Sequence, residues 1–249
     1  MTRTVFITGA TAGIGAAAAR KFVSEGWQAV GTGRRRERLD ALAAELGDFF
    51  HPMTLDMRNP DEFAPALAAL PERYAGIDLL LNNAGLAPPM SNLQDAEQEP
   101  LDIAIDTNVT GLVALTRELL PRLIERKGAI INLASVAATY PYRGGAVYAG
   151  TKAFVRQFGL GLRCDLQGTG VRVTSIEPGM VETEFTLVRT GGDRAASDAL
   201  YAGAEPMSAE DHAELFWWLA NLPPHLNINS IELMPVSQTW AGFAVERKG

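Results

Sequence analysis

Tyr148 and Lys152 stand four residues apart in "VYAGTKAF". On a helix, that spacing puts both side chains on one face. A phenol titrates near 10 when unperturbed, so a tyrosine acting as a general base near neutrality must be shifted down. A neighbouring ammonium favours the phenolate and supplies such a shift. Ser135 ends the apolar run "GAIINLAS" (128–135) just upstream. A hydroxyl at the carboxyl end of a strand faces the crevice where open α/β sheets bind ligands. The three residue types together suit proton transfer to and from an oxygen. The Y-x-x-x-K spacing alone is common by chance, and Ser135 is what raises it.

A second group of residues suits phosphate. "TGATAGIG" carries Gly9, Gly13 and Gly15 between an apolar run and a helical pattern. Glycines let the backbone approach a pyrophosphate, and the opening of a helix supplies free N–H groups and a favourable dipole. Dinucleotide folds recognise the adenosine ribose roughly 20 residues further on, where a carboxylate holds the 2′-hydroxyl of NAD. Here the second apolar run ends at Gly33 and is followed by Arg34 and Arg35. Guanidinium groups match a 2′-phosphate bidentately and stay charged at any working pH. The expected cofactor is therefore NADP(H). Arg36 and Arg38 are read as exposed helix surface beside Glu37.

These residues need a scaffold. Near-continuous apolar runs at 4–8, 28–33, 51–57, 77–85, 128–135, 171–179 and 228–236 read as strands covered on both faces. Helical patterns fall between them at 13–25, 35–46, 60–70, about 100–126, 148–166 and 208–221. That alternation implies right-handed βαβ units in a doubly wound α/β sheet. No repeat or linker divides the 249 residues, so one domain is expected across 1–249. Residues 180–207 break the rhythm after a strand end and contain Gly191-Gly192; a substrate lid is expected there, with a surface helical insertion as the alternative.

Composition narrows the function. Twenty-two Lys+Arg against 29 Asp+Glu give a net charge of −7, which argues against general nucleic-acid binding. One cysteine, Cys164, and three scattered histidines make a metal site unexpected. No apolar stretch approaches the roughly 20 residues that span a bilayer, and the first residues make a poor signal peptide. A cytoplasmic protein without membrane partners is expected.

Two further signals complete the set. "NNAG" (82–85) closes the fourth run, where small residues permit close cofactor approach and asparagines tie neighbouring strands. Asn108 falls inside a long helical pattern, where asparagine is a mediocre helix former.

In this combination and order, T-G-x3-G-x-G, N-N-A-G, the helix asparagine, the strand-end serine, Y-x-x-x-K and Pro178-Gly179 resemble the short-chain dehydrogenase/reductase family along essentially the whole chain. The resemblance implies a single Rossmann sheet of order 3-2-1-4-5-6-7 with helices on both faces. It implies a catalytic tetrad at Asn108, Ser135, Tyr148 and Lys152. It also implies cofactor contacts at Gly9, Thr11, Ala12, Gly13, Ile14 and Gly15, and at Asp56 and Met57 beside the adenine. Asn83, Ala84 and Gly85 would follow the ribose, with Pro178, Gly179, Val181 and Thr183 near the nicotinamide and phosphates. Lys152 would also hold the nicotinamide ribose, and Asn108 would support a water relaying protons toward it. A homotetramer is usual in the family. The tail "LMPVSQTWAGFAV" would pack on a neighbour or on its own subunit.

"GRRRERL", "SVAATYPYRGGAVYAGTKAFVRQF" and "EPGMVETEFTLVR" narrow the resemblance to NADP-dependent 3-hydroxy acid dehydrogenases, the L-allo-threonine or serine dehydrogenase type. It extends to 3-hydroxypropionate reductases. Such enzymes oxidise the 3-hydroxyl of L-serine, L-allo-threonine, 3-hydroxyisobutyrate or 3-hydroxypropionate by hydride transfer. The substrate carboxylate needs a cation, and two arginines are candidates: Arg143, between Ser135 and Tyr148, and Arg189, in the lid and favoured. A 3-oxoacyl thioester reductase uses the same tetrad, and a non-catalytic NADP-binding sensor is the alternative from another class.

Overall fold

The computed structural model describes residues 2–239. β1 (Thr4–Ile7) leads through α1 (Gly13–Ser24) to β2 (Gln28–Gly33), then through α2 (Arg36–Leu46) to β3 (Phe50–Thr54). A 3-10 turn, α3 (Phe63–Ala68) and α4 (Glu72–Ala75) precede β4 (Leu79–Asn82). α5 (Gln98–Ile105), a widened i→i+5 turn over Asp106–Gly111 and α6 (Leu112–Arg126) lead to β5 (Ala129–Leu133). α7 (Ala146–Asp165) precedes β6 (Arg172–Pro178). α8 (Glu184–Arg189), α9 (Arg194–Tyr201) and α10 (Ala209–Ala220) then reach β7 (Ser230–Leu233).

The seven strands form one parallel sheet of order β3-β2-β1-β4-β5-β6-β7. The expected order holds. Side chains alternate across the strands: Val5, Ile7, Leu79, Leu81 and Ile131 enter a core with residues of α1, α2 and α10. Phe6, Val30, Leu80 and Ile130 enter the opposite core with residues of α3, α6 and α7. Both faces are buried, which is why the strands read as unbroken apolar runs.

Strand order reverses between β1 and β4, so a crevice opens above their carboxyl ends. Gly9, at a φ of 72°, turns the chain out of β1. A side chain at Gly15 would run into the Gly9 carbonyl, so α1 can lie this close to the turn only without a Cβ. Asn82 and Asn132 are in register on β4 and β5. Asn82 donates to Asn132 Oδ1 (2.9 Å) and to Thr116 Oγ1 (3.0 Å), all three residues being buried. The asparagine tie between strands is present.

Two expected helices differ from the sequence reading. The helix expected over 100–126 is interrupted at Asp106–Gly111. Gly111 is pressed against the Met57 carbonyl, where no Cβ would fit. The helix expected over 60–70 keeps only six α-helical residues, since Pro60 opens a 3-10 turn and Pro71 ends the segment. Residues 180–207 contain α8 and α9, closed at the base by a parallel bridge between Val181 and Met207. Part of the tail segment lies outside the described residues. Its Gln238 Oε1 accepts the Met180 N–H at 2.7 Å, on the same chain.

Asn82→Ala strands buried polar groups on Asn132 and Thr116, and leaving a buried group unpaired costs about 1–3 kcal/mol. The urea midpoint should fall accordingly with an unchanged denaturant slope.

Candidate active site

Three strands deliver the site residues to the crevice. β1 hands the chain to the glycine loop, β4 to Asn83–Gly85, and β5 to Ser135. Thr8 Oγ1 accepts the backbone N–H groups of Asn83 and Ala84, each at 2.9 Å. Asn83 Nδ2 donates back to the carbonyls of Thr8 (2.8 Å) and Gly9 (3.1 Å). These bonds lock the two loops together across the strand reversal.

Tyr148 and Lys152 rise from the first turns of α7, both buried. The Ser135 hydroxyl pulls the Tyr148 phenol pKa down, and Ser135 Oγ donates to the Pro178 carbonyl at 3.4 Å. Ser135 Oγ accepts the Ala137 N–H at 3.2 Å, capping a short 3-10 turn that fixes its direction. Lys152 Nζ donates to the Leu133 carbonyl at 2.7 Å and lies 5.9 Å from the Tyr148 ring centroid. Asn108 reaches in from the widened turn. Its Oδ1 accepts the Leu86 N–H (2.9 Å), and its Nδ2 donates to the Leu86 carbonyl (2.8 Å) and Thr151 Oγ1 (3.0 Å). A methyl at Gly85 would sit 3.2 Å from Lys152 Nζ and 3.3 Å from Asn108 Oδ1. All four tetrad residues therefore gather at the carboxyl end of the sheet. The Asn108 side chain pins Leu86 and Thr151 in place.

The charge states differ from the sequence reading. Burial pushes the Tyr148 phenol up to about 12, outweighing the Ser135 hydrogen bond and the nearby Arg189 charge that pull it down. Burial likewise lowers the Lys152 ammonium to about 8. The lysine was expected to depress the tyrosine. The dry site disfavours the charged forms of both groups.

The cofactor-side residues fit a dinucleotide. Ala12 starts α1 without a side-chain cap, so its first N–H groups remain available to phosphate oxygens. Thr11 packs against Gly33 at the end of β2. Ile14 is partly buried on the α1 face of the core. Arg35 donates from Nε (3.2 Å) and Nη2 (2.8 Å) to Thr11 Oγ1. Arg34 is exposed. The Asp56 carboxyl is held below its ordinary value by Arg58 first, with Arg34 adding to the effect. Met57 is buried beside it. Thr183 caps α8 by accepting the Phe185 N–H at 3.3 Å, and a methyl at Gly13 would meet Thr183 Cβ at 3.3 Å. Pro178 and Gly179 end β6, and Gly179 donates to the Leu233 carbonyl at 2.8 Å. The root of the 180–207 segment thus lies over the glycine loop.

The two candidate arginines separate. Arg143 is exposed and donates to Asn92 Oδ1 at 3.2 Å, tying down the loop after Gly85. Arg189 ends α8 with its guanidinium 5.7 Å from the Tyr148 ring centroid and 5.2 Å from that of Tyr142. It donates to Tyr142 Oη at 2.8 Å, and its buried Nε has no partner among the described residues. Phe185, on the same helix, packs its ring 5.7 Å from Tyr148.

Sequence reasoning missed Glu184. Its carboxylate accepts Arg35 Nη1 at 3.0 Å and Arg38 Nη1 at 2.7 Å. Arg38 is therefore an ion-pair partner across the fold rather than plain helix surface. Nothing local in "VETEF" announces that pairing, because the partners are far apart in the chain.

The lowered Lys152 value has a thermodynamic consequence. The unfolded chain binds that proton more tightly than the folded one between about pH 8 and the ordinary lysine value of 10.5. Stability from this group therefore rises with pH across that window. Lys152→Met should remove that rise from a series of denaturant midpoints.

A family profile described as short chain dehydrogenase matches residues 3–190. The chain is 58% identical over 248 residues to serine 3-dehydrogenase of Agrobacterium fabrum, with 100% of each covered. It is 54% identical to sulfoacetaldehyde reductase of Chromohalobacter salexigens, with 99% of each covered. The solved closed form of serine dehydrogenase complexed with NADP+ superposes with a TM-score of 0.97 at 48% identity, covering 98% of this chain and 100% of that one. With the tetrad residues gathered at the strand ends and a family match over most of its length, this chain belongs to the short-chain dehydrogenase family.

Proposed function

We propose that the protein is an NADP(H)-dependent oxidoreductase that reversibly oxidises the hydroxyl of short 3-hydroxy acids. The observation that carries the reading is Arg189, a guanidinium packed on the rings of Tyr148 and Tyr142 with a buried, unpartnered Nε. An acid group held there brings a hydroxyl-bearing carbon one atom further on to Tyr148. L-Serine, 3-hydroxypropionate and the alcohol formed from sulfoacetaldehyde share that spacing between hydroxyl carbon and acid group. The names of the serine dehydrogenase and sulfoacetaldehyde reductase relatives agree with it. A 3-oxoacyl thioester carries no acid at that point and gives Arg189 no partner.

Bound cofactor supplies or accepts the hydride. The glycine loop and the α1 N-terminus would hold its phosphates, and Arg34 and Arg35 its 2′-phosphate. Met57, Asn83–Gly85, Val181 and Thr183 would line its path. Tyr148, neutral at working pH, donates its proton to the carbonyl oxygen during reduction, and Ser135 hydrogen-bonds the same oxygen. Oxidation requires that proton to leave Tyr148 first, and Lys152, next to Asn108, is the neighbouring group able to pass it on. Residues 180–207 act as a lid within one domain, bringing Arg189 onto the substrate and excluding water. The protein works in the cytoplasm as a homotetramer. The single exposed thiol, Cys164, suits a reducing compartment. The half-exposed, stacked Phe154 and Phe158 on α7 suit a subunit contact.

Nicotinamide absorbance tests the reading with NADP+ or NAD+ against L-serine, L-allo-threonine, 3-hydroxyisobutyrate and 3-hydroxypropionate, with sulfoacetaldehyde and 3-oxoacyl thioesters run in reverse. Turnover of hydroxy acids with NADP+ is expected; fast thioester reduction without hydroxy acid turnover refutes the substrate class. Arg189→Met removes a hydrogen bond to a charged group, about 1.5–3 kcal/mol, so kcat/KM for acids should drop roughly tenfold to a hundredfold. Tyr148→Phe should abolish turnover while cofactor still binds.

The reaction direction should follow pH. Tyr148 keeps its proton up to about 12 and Lys152 loses its own near 8. Reduction, which consumes the tyrosine proton, should hold at neutral pH. Oxidation should accelerate as pH rises through about 8, and a flat oxidative profile from pH 7 to 10 contradicts the relay.

A further inference from the structure

We infer that Glu184 is a specificity-determining residue for the cofactor: it competes with the 2′-phosphate for Arg35 and transmits the outcome to the lid. The inference rests on reading Arg35 as part of the 2′-phosphate seat. A guanidinium offers two edges for bidentate bonding. The Nε/Nη2 edge of Arg35 is committed to Thr11 Oγ1. Its other edge meets Glu184 through Nη1 at 3.0 Å. A phosphate binding Arg35 bidentately must take that second edge, and its oxygens would then crowd the carboxylate. Glu184 cannot simply stay charged beside a phosphate dianion. It must yield Arg35, and Arg38, which bonds both of its oxygens at 2.7 and 2.8 Å, gives it a place to go. Arg38 first, and Arg35 as well, hold the Glu184 carboxyl below its ordinary value, so it remains an anion at neutral pH.

Glu184 is also the first residue of α8, and Arg189 is the last. One short helix therefore spans from the ribose end of the cofactor site to the Tyr148 ring. Thr183 rests on Gly13 at its start, and Phe185 and Arg189 rest on Tyr148. Tyr201 of α9 ties the helix to its own root, bonding both Thr186 Oγ1 and the Val181 carbonyl. A shift of Glu184 off Arg35 therefore moves a braced unit rather than a loose loop. A 2′-hydroxyl offers Glu184 no competing anion and leaves the unit where it is. NADP and NAD would thus differ in lid position as well as affinity.

The test is calorimetric titration with adenosine 2′,5′-bisphosphate and with 5′-AMP, which lacks the 2′-phosphate. Tighter binding of the bisphosphate by the wild-type protein, lost in Arg35→Ala, supports the phosphate seat; equal affinities overturn that seat independently of Glu184. Glu184→Gln should tighten the bisphosphate about fivefold, the scale of an exposed ion pair, and leave 5′-AMP unchanged. Unchanged or weaker bisphosphate binding overturns the competition. The wild-type protein tests the coupling without mutation, through trypsin cleavage after Arg189 and Arg194. At equal saturation, the bisphosphate should change the cleavage rate and 5′-AMP should not. Equal rates with both ligands refute transmission to the lid.

Discussion

The site depends on how closely two backbones approach at the reversal of strand order. The turn after β1 and the turn after β4 are stitched by Thr8 and Asn83, side chain to backbone in both directions. Gly15 lets α1 begin against the Gly9 carbonyl, where any Cβ would collide. From that contact follow the direction of the α1 N-terminus, the position of Gly85 beside Lys152, and the depth of the crevice. A polar stitch is needed because both loops sit where backbone groups would otherwise be buried without partners.

Dehydration then sets the chemistry. Tyr148 sits under Phe185 and Arg189 of α8, and burial moves both Tyr148 and Lys152 toward their neutral forms. A neutral phenol suits proton donation, while a lysine that titrates near neutrality suits proton relay rather than serving as a fixed cation. Arg189 approaches the same tyrosine from the end of α8. In the proposed mechanism cation, acid and relay come from separate elements, α8 and two turns of α7.

Much of the fold was legible because a doubly covered parallel strand leaves an unambiguous trace: unbroken apolar runs such as "IDLLLN", ended by small or polar residues. The interruption at Asp106–Gly111 was not, since Gly111 there meets the Met57 carbonyl, a contact between distant segments. The candidate site was legible in residue type. Ser135, Tyr148, Lys152 and Asn108 converge as their spacing and family resemblance suggested. The preference for Arg189 over Arg143 rested only on its place in the 180–207 segment, and packing puts Arg143 on Asn92 and Arg189 on Tyr148.

The sequence by itself determined the strand and helix alternation, the glycine turn, the spacing of Ser135, Tyr148 and Lys152, and the arginine pair at the end of β2. These are local patterns, written in periodicity, spacing and residue type. The tertiary structure decided the burial that disfavours the charged forms of Tyr148 and Lys152, the role of Asn108 as a clamp on Leu86 and Thr151, and the pairing of Arg35 and Arg38 with Glu184. Each of these depends on burial or on a partner distant in the chain, and neither quantity exists until the chain has folded.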